Sequence, residues 1–487
     1  MEYIEIFLVI FSLLFLFCYF FHKKDGLPTN WPVIGMLPAV SKNYHRIHDY
    51  AVEVLEKSQL TFLGKGPWFT NMKFLFTVDP ANVHHILSKN FGNYPRGSKF
   101  KEISEFLIEK VWEKIESRLI PFLDHASEQQ FEIDLQDLFE RFSFDTISTV
   151  VMDYDPESLS IDLPNLPFLK AVRDFEEVIV YRHAVPTCVW KFQRWLDIGQ
   201  EKKHREAWKI IDDFIYGCIS KKREEMSKNS KSKACKVGNE VGADLMTIYM
   251  DEVRKSAEIG SNGEKFLRDT ILAFFFAGRG TVGVGLVWFF YLLSENPHVL
   301  SKIKEELDAM TTQMQYHHTD DDIMWNRYKI LSTNFQDLKD KLIYLHATIC
   351  EALRLYPPVA FNTKVPIEPD TLPSGHKVDS SMQIIFSTYA MGRMKSLWGE
   401  DCCEFKPERW MLETDKIRYV PSHKFLAFSS GPRTCLGKNM SLTVMKAATI
   451  AIISRYHIEP VQAHPVVPET SMVLHMKQGF KVKVAAY

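Results

Sequence analysis

A chain of 487 residues is too long for one small core and suits one large or two moderate domains. Hydrophobic residues at 46% and charged residues at 25% exclude a disordered, solvated polypeptide. A formal net charge of -2 gives no overall electrostatic case for nucleic-acid binding. The eight cysteines fall at positions 18, 188, 218, 235, 350, 402, 403 and 435, with no Cys-x-x-Cys pair. That scatter fits neither a disulfide framework nor a zinc site, and a reduced, cytosolic environment is the simpler reading.

The first element is a membrane span. From Ile6 to Phe21 every residue except Ser12 is apolar or aromatic, and Glu5 is the nearest preceding charge. The run approaches the roughly 20 residues that a helix needs to cross a bilayer. His22, Lys23 and Lys24 follow at once, which places the rest of the chain on the cytosolic side. A cleaved signal peptide is the rival, but no basic start and no small-residue cleavage site are present. A buried N-terminal helix is the remaining alternative. Residues 1–24 thus read as a transmembrane signal anchor.

Residues 25–40 read as a stiff neck, because Pro28, Pro32 and Pro38 forbid a continuous helix. A catalytic domain over 41–487 follows. It opens with strand-like runs such as Phe74–Val78, closed by Asp79-Pro80. Helical patterning predicts helices over 103–126, 135–152, 168–182 and 205–226. Met226 to Gly242, rich in Lys, Ser, Asn and Gly, predicts an exposed loop. Phe266 to Leu293 is long and apolar but holds Arg268, Asp269 and Arg279, so it predicts a buried core helix rather than a second span. Phe274, Phe275 and Ala277 are candidates for lining an apolar pocket. Further on, Glu351 and Arg354 at i,i+3 share one helix face and can pair. The last third mixes helices with short strands, ending in the alternating, edge-like Phe480–Val484. The fold class is mainly α with small β-sheets, an α+β arrangement.

Phe428-Ser429-Ser430-Gly431-Pro432-Arg433-Thr434-Cys435-Leu436-Gly437 carries the most chemistry. A thiolate, not a thiol, ligates metal, and backbone N–H groups must stabilise its charge. Gly431 and Gly437 let the backbone fold closely under a flat macrocycle. Arg433 can pair with a propionate, and Phe428 can shield the sulfur from water. Lys438 to Ile453 reads as an apolar helix whose N-terminus favours the thiolate. Taken alone, Cys435 would be a small buried hydrophobe, the usual fate of a free cysteine.

These residues resemble the cysteine loop of the cytochrome P450 superfamily, F-x-x-G-x-R-x-C-x-G. Glu351-Ala352-Leu353-Arg354 resembles its E-x-x-R helix, and Pro407-Glu408-Arg409 its P-E-R motif, whose arginine (Arg409) completes a buried charge cluster. The resemblance spans nearly the whole chain and implies a cytochrome P450-like fold. It implies haem b with Cys435 as axial iron ligand, and Phe428, Gly431, Arg433 and Gly437 around it. It further implies electrons from NADPH through a flavin reductase, docking where Lys406, Lys424, Lys438 and Lys446 are exposed. Location is then the endoplasmic reticulum membrane. Leu372–Val378 and Trp398–Glu400 look like the plant group that hydroxylates long-chain alkanes and fatty acids, which has relatives that couple phenolic alkaloid precursors.

Two departures stand out. Where the family places a small residue, Gly, any residue, acid, Thr and a second hydroxyl, this chain has Ala277-Gly278-Arg279-Gly280-Thr281-Val282. Thr281 can assist proton delivery, since its hydroxyl donates and accepts, but the acid is Gly280. Its alternative role is a bond to its own i−4 carbonyl. Gly280 and Gly283 each weaken the helix by roughly 0.5–1 kcal/mol. The second departure is larger. The resemblance lacks the family's Trp-x-x-x-Arg helix, which grips a propionate, near 97–104, and this leaves Lys364 or its neighbours to compensate. Trp190 and Arg194 have that spacing but lie too far along. The leading expectation is a monooxygenase acting on a long-chain apolar substrate. Its alternatives are a phenol-coupling oxidase or peroxide isomerase that inserts no oxygen, or an inactive truncated haem protein.

Overall fold

The computed structural model describes residues 27–31, 33–43, 50, 53–55, 57–58, 61–65, 73–77, 110–185, 187–232, 244–255, 263–315, 342–372, 376–380, 382, 384–414, 416–431, 434–469 and 471–487. The anchor (1–24) and the 97–104 segment lie outside them. Two compact units emerge, Met1–Lys101 and Glu102–Tyr487. In the first, α1 (Leu37–Asn43) precedes an antiparallel pair, β1 (Thr61–Lys65) and β2 (Lys73–Thr77), in which Thr61 faces Thr77. The strand read at Phe74–Val78 is therefore β2, one residue earlier. Met36, Val54 and Phe62 form this unit's small core.

The second unit is mostly helical. A π turn (Ile115–Leu119) runs into α2 (Ile120–Gln129), and β3 (Ile133–Asp134) leads into α3 (Leu135–Met152). Asp134 caps α3, accepting from the Gln136 N–H at 2.9 Å and from the Phe480 N–H at 2.9 Å; such a cap is worth about 1 kcal/mol. Then come α4 (Pro167–Ala184), α5 (Thr187–Leu196), α6 (Gly199–Ser232), α7 (Leu245–Lys255), α8 (Gly263–Glu295) and α9 (Pro297–Gln315). The stretch from Met226, read as a loop, stays helical to Ser232 within α6; 233–243 lie outside the described residues.

The rest is α10 (Ile343–Leu355), β4 (Phe361–Lys364), β5 (Asp370–Thr371), β6 (Lys377–Val378), β7 (Ile384–Ser387), α11 (Thr388–Met391), α12 (Lys395–Trp398), α13 (Lys438–Ile453), β8 (Tyr456–Pro460) and β9 (Lys481–Ala486). Strands β4 and β7 pair antiparallel, as do β5 and β6. The order β3-β9-β8 puts β9 in the middle of a three-stranded sheet, not at its edge. Val482 and Val484 point inward there, the period-2 pattern of a half-buried strand.

Helix α8 is the axis of this unit. It is long and apolar enough to cross a membrane, yet most of its apolar side chains are buried by protein. Its C-terminal half packs with α3, α10 and α13 in one core cluster; its N-terminal half packs with α4, α6 and α7 in another. Trp288 stacks on Tyr356 with ring centroids 3.9 Å apart and donates its Nε1–H to the Leu474 carbonyl at 2.6 Å. A Cβ at Gly283 would stand 2.9 Å from the Phe139 carbonyl oxygen, so glycine lets α8 cross the α3 backbone closely. The intrinsic cost of that glycine is the condition of the crossing.

Candidate active site

The cysteine loop is shaped by its own backbone. Leu426–Phe428 form a 3-10 turn, after which Ser429 (φ 62°) and Gly431 (φ 66°) turn the chain through the left-handed region. The Thr434 N–H donates to the Gly431 carbonyl at 3.0 Å, and the Cys435 N–H donates to the Phe428 carbonyl at 2.8 Å. The Cys435 thiol is exposed and its main chain is pinned. Gly437 is the N-cap of α13, and a Cβ there would lie 3.9 Å from the Cys435 sulfur. The positive end of a four-turn helix therefore begins beside the sulfur. Phe428 is half-buried, with the Lys438 ammonium 5.6 Å from its ring centre. Pro432 and Arg433 lie outside the described residues.

Beneath the loop is a saturated charge cluster. Arg354 grips Glu351 with two bonds of 2.8 Å, from Nε and from Nη2, and both residues are buried. Arg354 also donates to the carbonyls of Gly392, Cys402 (2.6 Å) and Glu404 (3.1 Å). Arg409 Nε stands 3.4 Å from Glu351 Oε1, while its Nη1 and Nη2 donate to Trp398 and Asp401 carbonyls at 2.7 and 2.9 Å. Glu351 also accepts from the Trp410 Nε1–H at 2.8 Å. The Trp410 ring packs edge-on against Phe425 at 4.6 Å, and Phe425 lies edge-on to Phe428. A continuous path thus runs from Glu351 through Trp410 and Phe425 to the carbonyl that holds the Cys435 N–H.

On α8, Ala273 and Ala277 are exposed and Thr281 half-buried, one face at i, i+4 and i+8. The Thr281 hydroxyl donates to the Ala277 carbonyl at 2.6 Å, which leaves its lone pairs to accept. The apolar residues read as pocket lining divide differently. Phe275 is buried in the second core cluster against Phe144, Phe168 and Phe214, and Phe274 packs beside Tyr249; of the three, Ala277 alone faces outward. A helix turns about 100° per residue, which sets Phe275 on the side away from Ala277, whereas Phe274, three residues before it, stays half-buried beside the open face. One turn past Thr281, a Cβ at Gly285 would stand 3.3 Å from Met445 of α13, and Met440 packs against both core clusters. The Leu474 N–H donates to the Pro358 carbonyl at 2.9 Å, tying the segment before β4 to the loop that Trp288 grips. Val359, Phe361, Ile385 and Phe386 there are exposed apolar side chains.

The structure adds a cluster that sequence reasoning missed. Arg279, buried behind the open face of α8, pairs with Glu140 of α3 at 3.0 Å and lies 3.8 Å from Glu176 of α4. His475 Nε2 stands 3.2 Å from Glu140, and Arg173 pairs with it at 2.8 Å. Burial alone would raise the Glu140 carboxyl, but His475, Arg279 and Arg173 outweigh it and hold it far below the carboxylate range. Burial raises Glu176, only partly offset by Arg279 and His475. An arginine in the apolar middle of the helix was the available signal.

The lysines read as an exposed patch separate. Lys438 is exposed, Lys406 is ion-paired to Asp401 at 3.0 Å, and Lys424 lies over the Trp398 ring at 4.6 Å. Lys446 is buried and donates to the Leu342 carbonyl at 3.4 Å, because it sits on the inward face of α13. Lys364 is exposed and bonds Asn362. Trp190 and Arg194 lie on α5, where Arg194 reaches Glu201 at 3.1 Å.

Against known proteins, the cytochrome P450 family model matches residues 98–484. The chain belongs to the cytochrome P450 family. The P450 is 41% identical to the alkane hydroxylase MAH1 of Arabidopsis thaliana, over 98% of this chain and 97% of that protein. It is 38% identical to noroxomaritidine synthase 2 of Narcissus pseudonarcissus (95% and 92%) and 35% identical to cytochrome P450 86B1 of Arabidopsis thaliana (95% and 86%). A solved cytochrome P450, CYP102L1, shares the fold at a TM-score of 0.58 and 20% identity, over 83% of this chain and 81% of that one. The alignment with the alkane hydroxylase is 512 residues long, more than the 487 of this chain, so that relative has residues with no counterpart here. Membership of this family of monooxygenases implies a haem, a small-molecule substrate and a redox partner. The donor set fits a haem: an exposed thiol on a pinned backbone, beside a helix N-terminus, with no side chain at Gly437 to crowd the sulfur.

Proposed function

We propose that this P450 hydroxylates a long-chain apolar molecule, of alkane or fatty-acid type, using dioxygen and electrons from an NADPH-dependent flavin reductase. The observation that carries this reading is the small, open face of α8 (Ala273, Ala277, Thr281) in a unit whose exposed thiol can hold a haem. When bound, the haem supplies dioxygen activation. The chain's own residues do the rest. Cys435 donates its thiolate, Phe428 shields it, and Gly431 and Gly437 let the backbone pass beneath the ring. Arg433 and Lys364 are the cations offered to propionates. Glu351, Arg354 and Arg409 position the loop through Trp410 and Phe425. Thr281 holds a water by its free lone pairs and so delivers protons, and the apolar side chains of Val359 and Phe361 favour a hydrocarbon substrate over a polar one. The similarity to an alkane hydroxylase supports the substrate class.

The proposal extends to location. The apolar run Ile6–Phe21 followed by three basic residues supports a single span at the endoplasmic reticulum with the catalytic unit in the cytosol. Helix α5 agrees, because Phe192, Trp195 and Leu196 are exposed beside Lys191 and Arg194, the composition of a helix that lies on a bilayer surface. Lys438 and Lys406 offer the reductase a basic contact. The alignment with the alkane hydroxylase, longer than this chain, is consistent with a chain that lacks residues the relative has, and a shortened segment near 97–104 is the place we propose for them.

A second reading, oxidation without oxygen insertion, is favoured by Gly280, which offers no acid for proton delivery, and by the similarity to noroxomaritidine synthases. The test is turnover of long-chain alkanes and fatty acids by the membrane-bound chain with reductase, NADPH and isotopically labelled dioxygen. Alcohol carrying the label supports hydroxylation. Coupled phenols or rearranged peroxide with no label replace it with the second reading. A chain that retains no haem overturns both and is a truncated product.

A further inference from the structure

The turn Asp401–Glu404 holds two adjacent cysteines at the place where both arginines of the charge cluster end. The Glu404 N–H donates to the Asp401 carbonyl at 3.0 Å, closing the turn around Cys402 and Cys403. Arg354 takes the carbonyls of Cys402 and Glu404 at 2.6 and 3.1 Å, and Arg409 takes that of Asp401 at 2.9 Å. Cys402 is buried among Ala347, Cys350, Trp398 and Trp410, whereas Cys403 is exposed. Their sulfurs are 3.9 Å apart. A disulfide bond is about 2.0 Å long, so bonding these two sulfurs closes a small ring through the 402–403 peptide and must rotate it. The Cys402 carbonyl is part of that peptide and turns away from Arg354.

We propose that Cys402 and Cys403 form a redox modification site, at which hydrogen peroxide joins the two sulfurs and releases the grip of Arg354 on the segment beneath the cysteine loop. Cys403 is the attacking sulfur, because it is exposed while burial, with Cys403 beside it, pushes the Cys402 thiol up. Its thiolate attacks one peroxide oxygen, the O–O bond breaks, and the departing hydroxide takes up the thiol proton as water. The Cys402 sulfur then displaces the hydroxyl from the Cys403 sulfenic acid; the S–S bond forms, the S–O bond breaks and a second water leaves. Two thiols are oxidised to one disulfide and one peroxide is reduced to two waters. The effect reaches Cys435 along the path from Glu351 through Trp410, Phe425 and Phe428.

The experiment treats the full-length, membrane-bound chain with excess hydrogen peroxide, alkylates it in denaturant and maps the tryptic peptide Ser396–Arg409. The reduced carbon monoxide spectrum and the thermal unfolding midpoint are followed in parallel. The expected result is a peptide lighter by two hydrogens that takes up no alkylating agent. Loss of the thiolate band and a lowered midpoint accompany it, and all three are reversed by dithiothreitol. The Cys403→Ala chain is expected to keep its band and midpoint under the same treatment. Two alkylated cysteines after the band is lost, a bond from Cys402 to Cys350, or equal sensitivity in Cys403→Ala would overturn the proposal. Peptide mass and midpoint need no haem, so they decide the matter even where the chain holds none.

Discussion

Replacing Glu351 by Gln removes the carboxylate that Arg354 grips. In the native chain that carboxylate accepts two bonds of 2.8 Å from Arg354, one of 2.8 Å from Trp410 and one of 3.0 Å from the Lys406 N–H, with Arg409 at 3.4 Å. A glutamine offers one acceptor oxygen and turns an N–H₂ toward a site crowded with donors. Both charges are almost wholly buried, and breaking such a pair from one side costs about 3–5 kcal/mol. Arg354 keeps the carbonyls of Gly392, Cys402 and Glu404, which places the cost nearer the lower figure. At ~2 °C per kcal/mol for a large domain, the unfolding midpoint should fall by roughly 6–10 °C. Scanning calorimetry of the purified chain measures it. A double-mutant cycle with Arg354→Met refines the claim, because removing both charges should cost less than the two single changes added together. A Glu351→Gln chain that melts within about 1 °C of the parent, or a cycle that is strictly additive, would refute the reasoning.

Other expectations are more local. Glu140→Gln leaves Arg279 buried with Glu176 as its nearest acid, and should destabilise by about 3 kcal/mol at neutral pH. Because the folded-state value of Glu140 is depressed, its contribution is present above the unfolded carboxyl value of ~4.3 and is lost as pH falls below it. The gap in midpoint between parent and variant should therefore narrow on acidification; a gap constant down to strongly acid pH would contradict this. Gly283→Ala sets about 0.5–1 kcal/mol of helix propensity against a backbone contact of 2.9 Å, whose overpacking costs roughly 1–3 kcal/mol. The net should be a lower midpoint, and a rise would show that α3 yields. A Cβ at Gly280 would meet Val473 at an ordinary 3.5 Å, so Gly280→Asp places its first side-chain carbon without a clash. It should also raise the ratio of product to released peroxide, which a coupled peroxide assay reads; an unchanged ratio would remove proton supply as the function of that position.

What was legible in the sequence is what local patterns encode. The α13 bounds, Lys438 to Ile453, follow from an apolar run that starts after a glycine. Helix α3 follows from the helical patterning over 135–152. The cysteine loop was readable because its residues act within ten positions of one another. Features set by partners far along the chain were not. Arg279 finds Glu140 at a separation of 139 residues, and no period announces that pairing. Lys446 was read as exposed from its type alone, although it lies on the buried side of an apolar helix. Phe275 was assigned to a pocket by proximity to Ala277, when helix geometry turns it into the core. Gly283 looked like a weakness until α3 supplied the backbone that it must clear.

The account rests on Cys435 holding a haem through its thiolate. The most direct test reduces the full-length chain, adds carbon monoxide and records the difference spectrum with the haem content, beside a Cys435→Ser chain. The strongly red-shifted thiolate band, with near one haem per chain in the parent and loss of that band in Cys435→Ser, is the predicted result. A parent without the band, or a serine variant that keeps it, would contradict the assignment.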